Sequence, residues 1–176
     1  MPNAGPVRAY ACLMSRSPDP YKTVRVLVCG ELRRGDDAAA LLAAGGLAAA
    51  VASLADVMQV GQLSVEALLD VPESVAVIVA DAAVGVAAGQ VVTLPLSEVA
   101  RRGAGATPAS SHSLPPDQVL ALAEEIRGSP LRGRFVGIGG AEFGFGERLS
   151  PAVEAAMPAF TEALAGAIRS LSGPPH

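Results

Sequence analysis

Gly30-Glu31-Leu32-Arg33-Arg34-Gly35-Asp36-Asp37 is the stretch that decides the fold. A Val-rich apolar run at 23–29 precedes it, and an alanine- and leucine-rich stretch follows it. The order is strand, Gly-bounded loop, acidic pair, helix. In an open α/β sheet this order puts carboxylates where a strand ends and a helix begins, which is where ligand sites form. Asp81 follows a second apolar run at 75–80, and His112 stands in a Ser-rich loop. The acidic pair, Asp81 and His112 are therefore a candidate metal-binding set.

Working outward, the first strand shows little alternation, as expected of a parallel strand buried on both faces. The helix that starts at Asp36 or Asp37 should break or bend at Gly45-Gly46. A second strand is expected at 56–60, then a helix headed by Ser64 that ends before Pro72. The third strand, 75–80, delivers Asp81, and Gly85 and Gly89 mark a turn. A fourth strand at 90–95 is an antiparallel edge strand, closed by Pro95. A long loop, 102–115, carries His112; long loops inside compact domains are often functional. Pro116-Asp117 starts a helix through Arg127, and a fifth strand covers 134–138. Ser150 is the expected N-cap of the last helix, with Pro151 at its first position. The reading is a three-layer α/β/α sandwich around a mostly parallel five-stranded sheet. Residues 1–22 form a poorly ordered lead-in, 23–172 a single domain and 173–176 a tail.

Composition narrows the function. The chain has 176 residues and a net charge of −4, which argues against a nucleic-acid surface. Arg33-Arg34 and Arg101-Arg102 are too short to track phosphates, although either pair could hold an anionic peptide terminus or an acidic patch. The two cysteines, Cys12 and Cys29, make neither a disulfide framework nor a zinc spacing. No stretch reads as a membrane span or a secretory signal, so the cytoplasm is the default compartment. Gly-x-Ser-x-Gly is absent, which disfavours a serine hydrolase. Gly137-Ile138-Gly139-Gly140 does not directly open a helix, which disfavours a dinucleotide site. In the Phe143-Gly144-Phe145-Gly146 loop the aromatic rings are either buried under a surface turn or form an apolar lip for a partner.

Four motifs in order, spanning 24–171, resemble those of the hydrogenase maturation endopeptidases. The first is Gly30 to Asp37, similar to a Gly-Asn-x-Leu-x-x-Asp-Asp/Glu loop. The second is Val77-Ile78-Val79-Ala80-Asp81-Ala82. The third is Ser110-Ser111-His112-Ser113-Leu114 followed by a Leu-rich helix. The fourth is Gly137-Ile138 with Leu149-Ser150-Pro151-Ala152-Val153-Glu154. The resemblance implies that Asp37, Asp81 and His112 contact nickel already inserted in the large-subunit precursor of a [NiFe] hydrogenase, whose C-terminal extension is then removed. Nickel is expected to arrive with the substrate, with other divalent metals as substitutes.

Two carboxylates and an imidazole suit a borderline divalent metal and leave coordination positions open. Without thiolates they should hold nickel weakly, which suits a site that tests for metal brought by its substrate. Hydrolysis needs an activated water and a polarised carbonyl. Either the metal supplies both, or Asp37 or Asp36 acts as general base. Glu31, Arg33 and Arg34 are expected at the substrate. Three departures stand out. Glu31 replaces an amide with an acceptor-only side chain. Arg33 falls where the resemblance implies an apolar anchor, and Gln59-Val60-Gly61-Gln62 falls where it implies an acidic segment. They leave open a non-catalytic protein that docks the metallated subunit without cleaving it. A third reading is a small-molecule-binding domain whose acids only cap helices.

Overall fold

The structure, a computed structural model, describes residues 19, 21–105, 114–146 and 148–173. Most of the expected lead-in, the tail end 174–176 and His112 lie outside the described residues.

The strands are β1 (Val24–Cys29), β2 (Asp56–Gly61), β3 (Ala76–Ala83), β4 (Val91–Pro95) and β5 (Gly133–Gly139). They form one sheet in the order β2-β1-β3-β5-β4. β4 pairs antiparallel with β5, and every other pairing is parallel. β1 is buried along its whole length, as its unbroken apolar run predicts. Its one charge, Arg25, sits 3.4 Å from Asp56, its register partner on β2, and donates from Nη1 to the Asp70 carbonyl.

Each face of the sheet carries one helical layer. A 3₁₀ turn (Gly35–Ala38) leads into α1 (Ala39–Gly45), followed by the single turn α2 (Ala49–Ala52). With the long α6 (Pro151–Ser172), α1 covers the face that presents Val26, Val28, Ile78 and Ile138. On the other face α3 (Val65–Leu69), α4 (Leu96–Gly103) and α5 (Pro116–Arg127) cover Leu27, Val77, Val79 and Phe135. Small side chains on α1, notably Ala39, Ala40 and Ala43, let it pack close to the strands. The layered architecture is thus the one the sequence implies.

Three local expectations need correction. β3 continues to Ala83, so Asp81 lies inside the strand instead of following it. Helix α4 was not anticipated, although Leu96, Val99, Ala100 and Gly103 are buried at helical spacing, and it takes up residues 102–103 of the expected loop. Ser150 does occupy the N-cap position of α6, but its side chain makes no capping bond; its hydroxyl donates to Asp36 instead.

The strand order fixes where a ligand can sit. The chain leaves β1 toward β2 and returns to β3 on the other side of β1. A crevice opens at the carboxyl ends of β1 and β3, at this switch point. Asp37, just beyond β1, and Asp81, near the end of β3, both lie there.

Candidate active site

Gly30 makes the loop possible. It has φ +107°, and a Cβ there would stand 1.9 Å from the Asp37 carbonyl oxygen, so only glycine fits. Its amide donates to the Gly61 carbonyl at 2.6 Å, which ties the loop to the end of β2. The 3₁₀ turn that follows points the two acids in different directions. Asp36 is fully buried. Its Oδ2 accepts from the amides of Ala141 and Glu142 at 2.8 and 2.9 Å and from the Ser150 hydroxyl at 2.8 Å. Its Oδ1 accepts from the Ser150 amide at 2.7 Å. Burial works against ionisation here, but these donors outweigh it and hold the carboxyl below its ordinary pKa. Asp36 therefore ties the loop after β1 to the loop between β5 and α6.

Asp37 faces the crevice, half-buried. Its Oδ2 accepts from the Glu31 amide at 2.9 Å, which fixes the side chain across the loop. Asp81 lies on the same sheet face as Val77 and Val79 and pairs in register with Gly137 of β5. Burial pushes its carboxyl up to about 7; the Ala82 amide opposes the shift, and the neighbouring Asp37 charge adds to it. Cys29 points to the same face from β1 and is buried. Desolvation, then Asp81 and Asp37, push its thiol well above the ordinary range. In the metal-free protein this favours the thiol over the thiolate.

These groups line one cavity of about 940 Å³. Its acidic end holds Glu31, Asp37 and Asp81, and Arg34 stands beside them. Val92, Leu94, Val99, Phe135 and Leu114 form an apolar wall of the same cavity, with Arg102 and Asp117 also in the lining. Val84, Val86 and Phe143 border it from the loops that follow β3 and β5.

The structure thus brings together Asp37, Asp81, Glu31 and Arg34. It does not place Asp36 or Arg33 in the lining. Arg33 is exposed, and its neighbour Leu32 packs against the core, so the apolar anchor is shifted by one position. Among the described residues no three ligand-type side chains gather closely enough to hold a metal. Asp37 and Asp81 bring two carboxylates to one cavity, fewer donors than a metal shell needs. Sequence reasoning missed the apolar wall and the contribution of Val84 and Val86. The Val-Gly-Val run after Asp81 was the available signal.

A model of a hydrogenase maturation protease family (HycI) matches residues 47–167. No curated protein sequence matches significantly. Among solved structures, the chain is similar to the hydrogenase maturating endopeptidase HybD from E. coli. The two share 23% identity and a TM-score of 0.65, over 84% of this chain and 92% of that one. It is also similar to a [NiFe] hydrogenase maturation protease, HybD, from Thermococcus kodakarensis, with 21% identity and a TM-score of 0.59 over 81% and 97% of the two chains. A third structure, HycI from the same organism, gives 23% identity and a TM-score of 0.55 over 85% and 95%.

Proposed function

This chain belongs to the hydrogenase maturation protease family, and from that premise we propose that it recognises nickel in a [NiFe]-hydrogenase large-subunit precursor and removes the C-terminal extension. The observation that carries the reading is the convergence of Asp37 and Asp81. One lies in the turn after β1 and the other within β3, both line one cavity, and the Asp37 charge raises the pKa of Asp81.

The nickel is part of the substrate. When bound it would polarise a peptide carbonyl and acidify a water. The chain's own residues do the rest. Asp37, fixed by the Glu31 amide, offers a carboxylate oxygen to the metal or takes a proton from the attacking water. Asp81, with its raised pKa, would give up its proton to a bound cation, so cation binding would be coupled to proton release at this residue. His112 is the proposed third ligand. It lies outside the described residues, but Leu114, two positions later, lines the same cavity. The apolar wall suits the side chains of an extended peptide leading to the acids. Glu31 and Arg34, at the acidic end, are proposed to contact that peptide, whereas Asp36 is proposed to hold the loop and take no part in the chemistry.

The test is incubation with nickel-loaded precursor, with the products weighed by mass spectrometry. Wild-type protein should release one C-terminal fragment. Asp37→Asn and His112→Ala should fold normally and release none. Normal processing by either variant would remove that residue from the site, and tight binding without cleavage by wild-type protein would favour a docking role.

A further inference from the structure

We propose that an apolar lip beside the cavity, built from Val84, Val86, Phe143 and Phe145, is the docking surface for the folded body of the protein whose C-terminal segment enters the cavity. The proposal rests on the reading above. It adds a second contact, away from the acids, that recognises a folded surface instead of a peptide.

The first observation is exposure. Phe145 is 92% exposed and Val84 is 83% exposed, in a chain with only four phenylalanines. Exposed apolar side chains grouped at the rim of a cavity mark interaction sites, whereas scattered ones do not. The second is bracing. The Arg34 guanidinium donates to the Phe143 carbonyl at 3.4 and 3.5 Å and stands 6.0 Å over the Phe145 ring. The guanidinium lies at the outer reach of a cation–π contact with this ring, and a side chain ordered before binding loses less entropy when it docks.

The third observation is continuity, and it identifies the occupant. Val84, Val86 and Phe143 line the same cavity as Asp37 and Asp81. A chain end seated in this cavity contacts Val84, Val86 and Phe143, which places the body it comes from within reach of the rest of the lip. The two loops are joined to each other, because Gly89 donates to the Gly139 carbonyl and Gly140 to that of Ala83. The Phe145 loop is also joined to the acid-bearing loop, because Gly35 donates to the Gly146 carbonyl at 2.9 Å and Gly146 to that of Arg33 at 3.0 Å. A body docked on the lip is therefore held at a fixed offset from Asp37. That offset would set which peptide bond reaches the acids.

Phe145→Ser and Val84→Ser test the proposal on the nickel-loaded, full-length precursor, with Tyr21→Ser as control. Tyr21 is 91% exposed and precedes the amino end of β1, opposite the cavity. Buried aromatic anchors dominate protein interfaces, so Phe145→Ser should raise KM about tenfold or more, with the loss falling on KM and not on kcat. Val84→Ser should raise it by a smaller factor, and Tyr21→Ser should leave it unchanged. If wild-type protein trims the precursor and the two lip variants keep its KM, the lip is not a docking surface, although the reading of the cavity survives. Self-association of wild-type protein that Phe145→Ser abolishes, again with unchanged KM, would assign the lip to a second copy and overturn the proposal. Wild-type protein that neither binds nor trims the precursor removes both the cavity reading and the lip.

Discussion

Asp36→Asn separates structure from chemistry in the acidic pair. The wild-type carboxylate accepts from the amides of Ala141, Glu142 and Ser150 and from the Ser150 hydroxyl, all within 2.7 to 2.9 Å. An asparagine has one oxygen. Its best orientation puts that oxygen at the Oδ2 position, where it keeps the Ala141, Glu142 and Ser150 hydroxyl donors. Its amino group then faces the Ser150 amide, donor against donor. A buried N–H left without an acceptor costs about 1–3 kcal/mol, and losing the charge weakens the bonds that remain. With the weakened bonds counted in, the variant should lose about 3 kcal/mol, the upper end of that range. For a domain of this size that lowers Tm by about 6–12 °C. The pH dependence has a definite sign. The folded-state pKa of Asp36 is depressed, so its stabilisation is complete above its unfolded value of about 3.9 and is lost as pH falls through the folded value. The Tm gap between wild type and Asp36→Asn should therefore close on acidification. The assay is thermal unfolding followed by circular dichroism between pH 3 and 8, run alongside precursor trimming. A variant that melts within about 2 °C of wild type at pH 7 would refute the argument. If it also fails to trim, Asp36 acts on the substrate after all.

Gly30→Ala should cost at least about 3 kcal/mol in chemical denaturation, since its Cβ would meet backbone 1.9 Å away at a φ of +107°. Gly144→Ala, where an added Cβ meets nothing within 4 Å, should stay within about 0.5 kcal/mol. Asp81 should titrate in the opposite sense to Asp36. Its folded pKa is raised to about 7, so the folded state holds the proton more tightly and this group's contribution weakens as pH rises from about 4 to 7. Asp81→Asn should accordingly raise the metal-free Tm at pH 8 and leave it nearly unchanged at pH 4; an equal shift at both would refute the assignment. Asp37→Glu, facing the cavity, should melt within about 2 °C of wild type, whereas Asp36→Glu should lose about 1–3 kcal/mol to overpacking; equal Tm values for the two would contradict the burial difference between them.

Much of the fold was legible because the local signals agreed. The apolar run of β1 and the alanines of α1 point to a buried parallel strand and a closely packed helix, and both occur. The helix Pro116–Arg127 has Pro at its first turn and a left-handed Gly128 after it, and its bounds follow from those residues. Helix α4 was hidden because Pro95 reads as a terminator, while here it serves as the N-cap residue of the next helix. The extension of β3 through Asp81 was hidden for a different reason. A carboxylate inside a strand reads as a strand end unless the crevice beside it is known, and the crevice is created by strand order, not by local sequence. The placement of Leu32, which takes over the anchoring expected at position 33, depends in the same way on packing against residues distant in the chain.

The divergence of Asp36 and Asp37 follows from backbone geometry. In a 3₁₀ turn, with three residues per turn, neighbouring side chains leave the axis about 120° apart. Two consecutive acids in the turn Gly35–Ala38 cannot both face the crevice. The one that turns inward must be matched by donors, because an unpaired buried carboxylate would cost several kcal/mol. The loop before α6 supplies them through Ala141, Glu142 and Ser150. That obligation explains why Ser150 gives its hydroxyl to Asp36 when it could have capped α6, and why the loop after β5 lies against the loop after β1. The outward acid then inherits a rigid base. Asp37 is held by its own bond to the Glu31 amide, and its loop is pinned from behind by the network around Asp36. A carboxylate on a Gly-bounded loop would otherwise sample many positions. Here the buried partner restricts it, and the same bonds fix it relative to the Phe143–Phe145 lip.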